Sequence, residues 1–150
     1  MNQSNHIRKA RYSDCKRIWE IRNDERNRHF MTHTDPIPYA QHTRWFREYL
    51  KKHTLFLVLC DKKRVQGYVR FDAEGAGLVC AIAIDADARG QGLGTILLNG
   101  ALVEYAKELS GKILLAEVKK DNQASMKLFL RAGFIRHAAT KTHNIYRKYC

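Results

Sequence analysis

The stretch "DADARGQGLGTILLNGALVEYA", Asp85–Ala106, decides how the rest of the chain is read. An acidic, small-residue turn runs into Gly90, Gly92 and Gly94, and these lead directly into apolar residues at helical spacing. Three glycines in five positions are costly in backbone entropy, which argues for main-chain amides brought close to a ligand. A strand followed by glycine-rich backbone and a helix start is an anion site, because free N–H groups and the helix dipole converge there. One glycine suffices for a merely tight turn, so the glycine density favours a phosphate. The common nucleotide loops do not fit. There is no lysine as in G-x-x-x-x-G-K-[ST], and the spacing is G-x-G-x-G rather than G-x-G-x-x-G.

Working outward, "TLFLVLC" (54–60) and "LVCAIAID" (78–85) are nearly continuous apolar runs, the pattern of strands covered on both faces. Between them lie a "DKKR" turn, the strand "VQGYVRFD" (65–72) and a Gly-rich turn at "EGAG". "HIRKA" (6–10) is a short first strand, and Ser13 is placed to N-cap a helix through about Asn23. Residues 22–38, polar and ending in two prolines, read as a loop or broken helix. Tyr39–Lys52 reads as a helix with an apolar stripe of Trp45, Phe46, Tyr49 and Leu50. Leu93, Ile96, Leu97, Ala101, Leu102, Tyr105, Ala106 and Leu109 mark one long helix ending at Ser110-Gly111. After it come the strand "KILLAEV" (112–118), a helix in "DNQASMKLFLRA" capped by Asp121 or Asn122 and stopped by Gly133, and a hairpin from "FIRHAAT" and "HNIYRKY". The expected architecture is α+β, helices on a mixed sheet, in a single domain over residues 1–150.

With 45% hydrophobic and 28% charged residues, the chain belongs with globular rather than disordered sequences. No apolar run is long enough to span a bilayer, and the first residues lack a signal-peptide core, so the expectation is a cytoplasmic protein without membrane partners. The four cysteines are scattered without a C-x-x-C pair, which argues against a zinc site and a disulfide framework. Cys60 and Cys80 read as reduced core residues and Cys150 as exposed. His29 and His33 lack a third ligand, so no metal is expected. The formal charge of +12 suits polyanionic partners such as phosphate-rich coenzymes. The basic residues are spread rather than massed, so nucleic acid is not the expected partner.

"RGQGLG" resembles the Arg/Gln-x-x-Gly-x-Gly/Ala signature of the GNAT superfamily of N-acetyltransferases, and it sits between the fourth strand and the third long helix, as in that family. A second block, "AEVKKDNQASMKLFLRAGF" (116–134), is similar to the family's later strand-helix module, with Asn122, Ser125, Leu128 and Gly133-Phe134 in register. The resemblance covers essentially the whole chain. It implies a mostly antiparallel sheet of six to seven strands flanked by about four helices, with acetyl-CoA as co-substrate. It further implies that Arg89, Gly90, Gln91, Gly92, Leu93 and Gly94 hold the coenzyme pyrophosphate, with Thr95 adding a hydroxyl. Ile82 and Ile84, on a strand that splays from its neighbour, are the candidates for main-chain contacts to pantetheine, and Asn122 and Ser125 for contacts from the other side.

The reaction the resemblance implies is acetyl transfer to a primary amine, which needs a proton acceptor and a stabilised oxyanion. Glu117 resembles the family's base, although it also reads as a solvent-facing strand residue. Where the family often has a tyrosine acid, this chain has Leu128-Phe129. Thiolate protonation is left to water or Tyr146.

In the N-terminal half, "IWEIRND" (18–24) and "PIPYAQHTRWF" (36–46) are similar to the branch that acetylates the 4-amino group of nucleotide-linked amino-dideoxy sugars for surface glycans. Ribosomal-protein N-terminal acetyltransferases are a more distant likeness. Arg22, Asn23, His42 and Trp45 are the acceptor candidates, with Trp45 equally suited to its helix's core stripe. The expected function is thus a cytoplasmic amino-sugar N-acetyltransferase, monomeric or homodimeric. A protein N-terminal acetyltransferase and a non-catalytic basic RNA- or ribosome-binding module are the alternatives.

Overall fold

The computed structural model describes residues 5–52 and 55–150; Thr54, the expected start of the second strand, lies outside them. Seven strands form one sheet in the order β1-β2-β3-β4-β5-β7-β6. They are β1 (Asn5–Lys9), β2 (Phe56–Asp61), β3 (Arg64–Glu74), β4 (Gly77–Ile84), β5 (Ile113–Lys119), β6 (Ile135–Ala139) and β7 (His143–Tyr149). Every neighbouring pair is antiparallel except β4 and β5.

The helices are α1 (Cys15–Asn23), α2 (Glu25–Arg28), α3 (Tyr39–Lys52), α4 (Leu93–Glu104), α5 (Ala106–Leu109) and α6 (Gln123–Arg131). Two expectations change. Ser13 lies inside a 3₁₀ turn, Tyr12–Asp14, and helix α1 starts only at Cys15. The Asp14 carboxylate is already engaged by the Arg11 N–H and by Arg8. The long helix is broken at Tyr105, which leaves helical geometry (φ −102°, ψ 19°) and sets its buried ring edge-on to Phe71 at 6.2 Å.

The alternation of apolar residues along the strands gives the sheet two buried faces. One face carries Leu57, Leu59, Val69, Phe71, Cys80, Leu114 and Ala116 beneath Leu97, Leu98 and Ala101 of α4 and Phe129 of α6. The other carries Phe56, Val58, Cys60, Val65 and Tyr68 beneath Ile18 and Ile21 of α1 and Phe46 and Tyr49 of α3. No helix among the described residues is long and apolar enough to cross a membrane.

Candidate active site

Strands β4 and β5 pair only at Leu78/Leu114 and Val79/Leu115. Beyond Val79 they part, and a groove of about 1170 Å³ opens through the sheet. Ladder alternation fixes what β4 presents to it. The Asp85 N–H donates to the Gln66 carbonyl of β3 at 2.7 Å, so the main-chain groups of Ile84 and Ile82 turn to the open side. The Ile84 carbonyl is already taken by the Asn27 side-chain amide at 3.1 Å. Ile82 is left as the freer of the two expected main-chain partners.

The glycine loop stands at one end of this groove. Gly90 (φ +80°) and Gly92 (φ +75°) are left-handed, and Gly92 is the N-cap of α4. No atom lies within 4 Å of where a Cβ would stand at either position, so both face open space rather than packed protein. The first amides of α4, without intrahelical partners as at any helix start, adjoin these open positions, as an anion cradle requires. Gly94 lies against α6, where a Cβ would stand 3.5 Å from Leu128 Cδ2. The Asn122 side-chain oxygen (Oδ1) accepts the Ser125 N–H at 3.2 Å, which makes Asn122 the N-cap of α6 and fixes the opposite wall. Gly90, Gly92, Leu93, Gly94, Thr95, Asn122 and Ser125 all line the groove. Arg89 lines it too, its guanidinium on the Asn27 amide oxygen and over the ring of Phe30, both of which also line the groove.

Glu117 is exposed on β5 and lines the groove. Its neighbours Ala116 and Val118 are buried on the α4/α6 face, so Glu117 points to the α1/α3 face. Tyr146 pairs with Ala116 and is buried in the α4/α6 core, 3% exposed. The structure does not bring this expected proton donor to the groove. Phe129 does line it, packed edge-on to Phe134 at 5.1 Å. Cys80 lines it as well, but burial pushes its thiol up to about 12, so it stays protonated at neutral pH.

Of the four acceptor candidates only Arg22 reaches the groove. The others serve the scaffold. The Asn23 side-chain amide oxygen (Oδ1) accepts the Ile37 N–H at 2.7 Å and pins the segment entering α3. Trp45 packs against Tyr49 and carries the Arg22 guanidinium over its ring at 4.6 Å. His42 is fully buried, its Nε2 donating to the Cys15 carbonyl at 3.1 Å and its Nδ1 facing Arg22 at 3.4 Å.

Burial, reinforced by the Arg22 charge, pulls the His42 pKa down to about 4. An unfolded imidazole protonates near 6.5, so between that pH and about 4 the unfolded chain binds the extra proton. Folding stability should therefore fall as pH drops through this window. Denaturant melts at pH 7 and pH 4.5 measure the loss, and His42→Gln should make it smaller.

Two residues that the sequence did not single out complete the site. Asn27 bridges the Ile21 and Ile84 carbonyls, tying α1 to β4. Arg70 of β3 lines the groove beside Arg22, paired with Asp72. Tyr68, Arg70 and Asp72 alternate along β3, so a period-two reading puts all three on one face.

A model of the acetyltransferase (GNAT) family matches residues 10–134. The chain belongs to that family. An L-2,4-diaminobutyric acid acetyltransferase of Streptomyces coelicolor is 38% identical over 65 residues. That match spans 43% of this GNAT chain and 38% of the relative, so the chain covers well under two thirds of that enzyme. In fold it matches a GNAT phosphinothricin acetyltransferase of Sinorhizobium meliloti solved with acetyl-CoA. The TM-score is 0.81 at 19% identity, over 97% of this chain and 88% of that one. A ribosomal-protein-alanine N-acetyltransferase of Brucella melitensis superposes with a TM-score of 0.82 at 21% identity, over 97% and 99% of the chains. The seven-stranded, mostly antiparallel sheet agrees with the expected GNAT fold, with six helices among the described residues rather than about four.

Proposed function

We propose that this GNAT protein is an acetyl-CoA-dependent N-acetyltransferase acting on the primary amine of a small acceptor. The observation that carries the reading is the parting of β4 and β5 beside a loop whose Gly90 and Gly92 face open space. A strand edge supplies amide partners for a pantetheine arm, and a helix N-terminus supplies a place for its pyrophosphate. Residues Gly90, Gln91, Gly92, Leu93, Gly94 and Thr95 would hold the phosphates, Ile82 the arm, and Asn122 and Ser125 the opposite wall. Bound acetyl-CoA supplies a thioester carbon open to attack by an amine.

Glu117 accepts the proton in this reading. It stands on the α1/α3 face, so the acceptor would approach from that side while the coenzyme phosphates would lie at the α4 N-terminus. Without Tyr146 at the groove, and with Phe129 lacking a donor, solvent water returns the proton to the departing thiolate. Glu117→Gln should lower kcat by about 10²–10⁴-fold, the usual worth of a positioned base, and leave acetyl-CoA affinity unchanged. Stopped-flow thiol release together with calorimetry measures both quantities; an unaltered kcat removes Glu117 from the role.

A nucleotide-linked 4-amino sugar is the acceptor that the N-terminal motifs suggest. Its support in the groove comes from the Arg22 guanidinium, which suits a phosphate, since Asn23, His42 and Trp45 are committed elsewhere. Acetyl-CoA titrated into the intact protein should bind with micromolar-scale affinity. The absence of heat and of thiol release with any amine would leave the non-catalytic alternative.

A further inference from the structure

The acceptor end of the groove holds a guanidinium that no carboxylate among the described residues pairs with. Arg22 and Arg70 both line it, and both stand over the same indole, 4.6 and 5.1 Å from the Trp45 ring centre. Trp45 does not itself line the groove; it packs from behind as a shared platform. Asp72 pairs with Arg70 and also accepts the Tyr49 hydroxyl, so its charge is divided between two donors. No carboxylate among the described residues pairs with Arg22, whose one polar contact there is neutral His42 Nδ1 at 3.4 Å. The Arg70 Nε is buried with no hydrogen-bond partner. Burial and the neighbouring Arg70 charge also pull the Arg22 guanidinium below its ordinary range.

Two half-buried cations on one ring, only one of them paired with a carboxylate, are costly unless an anion joins them. The coenzyme phosphates are not that anion. Their cradle is the α4 N-terminus, whereas Tyr68, Arg70 and Asp72 lie on the α1/α3 face that Glu117 also faces. We propose that Arg22 and Arg70 form a seat for an anionic group of the acceptor, a carboxylate or a phosphate, which holds its amine on the Glu117 side of the groove. The inference rests on the acetyltransferase reading for its use, but the seat itself is a binding property. A planar carboxylate or a phosphate oxygen pair matches the fork of a guanidinium in a way that a neutral hydroxyl does not.

The test compares matched acceptors with CoA already bound. One pair is L-2,4-diaminobutyrate and its carboxamide; the other is a UDP-linked 4-amino sugar and the free amino sugar. In at least one pair the anionic member should bind about 30-fold or more tightly by calorimetry, the usual cost of leaving a desolvated charge unpaired. Arg22→Gln and Arg70→Gln should each raise KM for that acceptor while kcat and CoA affinity change little. Which pair responds separates an amino-acid carboxylate from a nucleotide phosphate. Equal binding within both pairs overturns the seat, even if neutral amines are acetylated. Preferential anion binding that Arg22→Gln abolishes, with no acetyl transfer from any acceptor, keeps the seat and overturns the enzyme reading instead. The wild-type comparison stands even if a variant fails to fold.

Discussion

Gly92→Val should weaken acetyl-CoA binding by about 10²-fold or more while lowering the melting temperature by only a few degrees. Gly92 is left-handed at φ +75°, and an L-residue there costs roughly 1–2 kcal/mol. Nothing lies within 4 Å of the added Cβ, so no packing is disturbed and the fold loses only that strain. Binding suffers twice. The loop relaxes toward a conformation in which the α4 amides no longer converge, and the valine stands where the phosphates must approach. Losing two charge-assisted hydrogen bonds at about 1.5–3 kcal/mol each accounts for the expected factor. Calorimetry and a thermal melt on one preparation check both halves. Intact affinity would place the coenzyme elsewhere, and a collapsed melting temperature would make the loop structural.

Phe46→Ala should be the most destabilising single truncation on the α1/α3 face, at about 3–5 kcal/mol. Phe46 is fully buried. It stacks on His42 at 5.8 Å, meets Phe56 edge-on at 5.8 Å and touches Trp45 at 6.3 Å between ring centres. Three aromatic neighbours anchored on a helix and a strand cannot collapse into the space left behind, so the cavity remains. For a chain of this length the loss corresponds to roughly 10 °C in melting temperature. Because Trp45 supports both Arg22 and Arg70, acceptor KM should rise as well, while affinity for the coenzyme, proposed to sit at the α4 N-terminus, should not. A shift under about 2 °C in calorimetric melting would mean that the cluster repacks freely.

The parts of the molecule legible in the sequence are those whose meaning lies within one short segment. Gly90 and Gly92 announce the left-handed turn into α4 because backbone conformation is local. Helix α3 keeps the expected bounds, Tyr39–Lys52, because its apolar stripe is a local period. The acceptor wall is not legible for the opposite reason. His42 carries the chemistry of a ligand contact, yet its ring is fully buried beside Phe46. Asn27 looked like one more polar residue in "RNDERNRHF", and its role exists only because Ile84, 57 positions away, is brought beside it. Arg70 does leave a signal in the sequence, a charge that alternates with Tyr68 and Asp72 on the inward face of β3. Tyr146 fails as a donor through strand parity, since its partner Ala116 looks to the opposite face from Glu117.

The wedge between β4 and β5 has a bearing on solubility. Unpaired strand edges invite other chains to add to a sheet and start aggregates. Here the two free edges face each other inside the molecule, and the space between them narrows to nothing at Val79/Leu115. A full polypeptide strand needs about 4.8 Å on each side along its length, which a tapering gap does not offer. A thin, flexible amide chain can enter from the wide end. The taper thus keeps these two inner edges, unlike the outer edges at β1 and β6, from recruiting strands of other molecules.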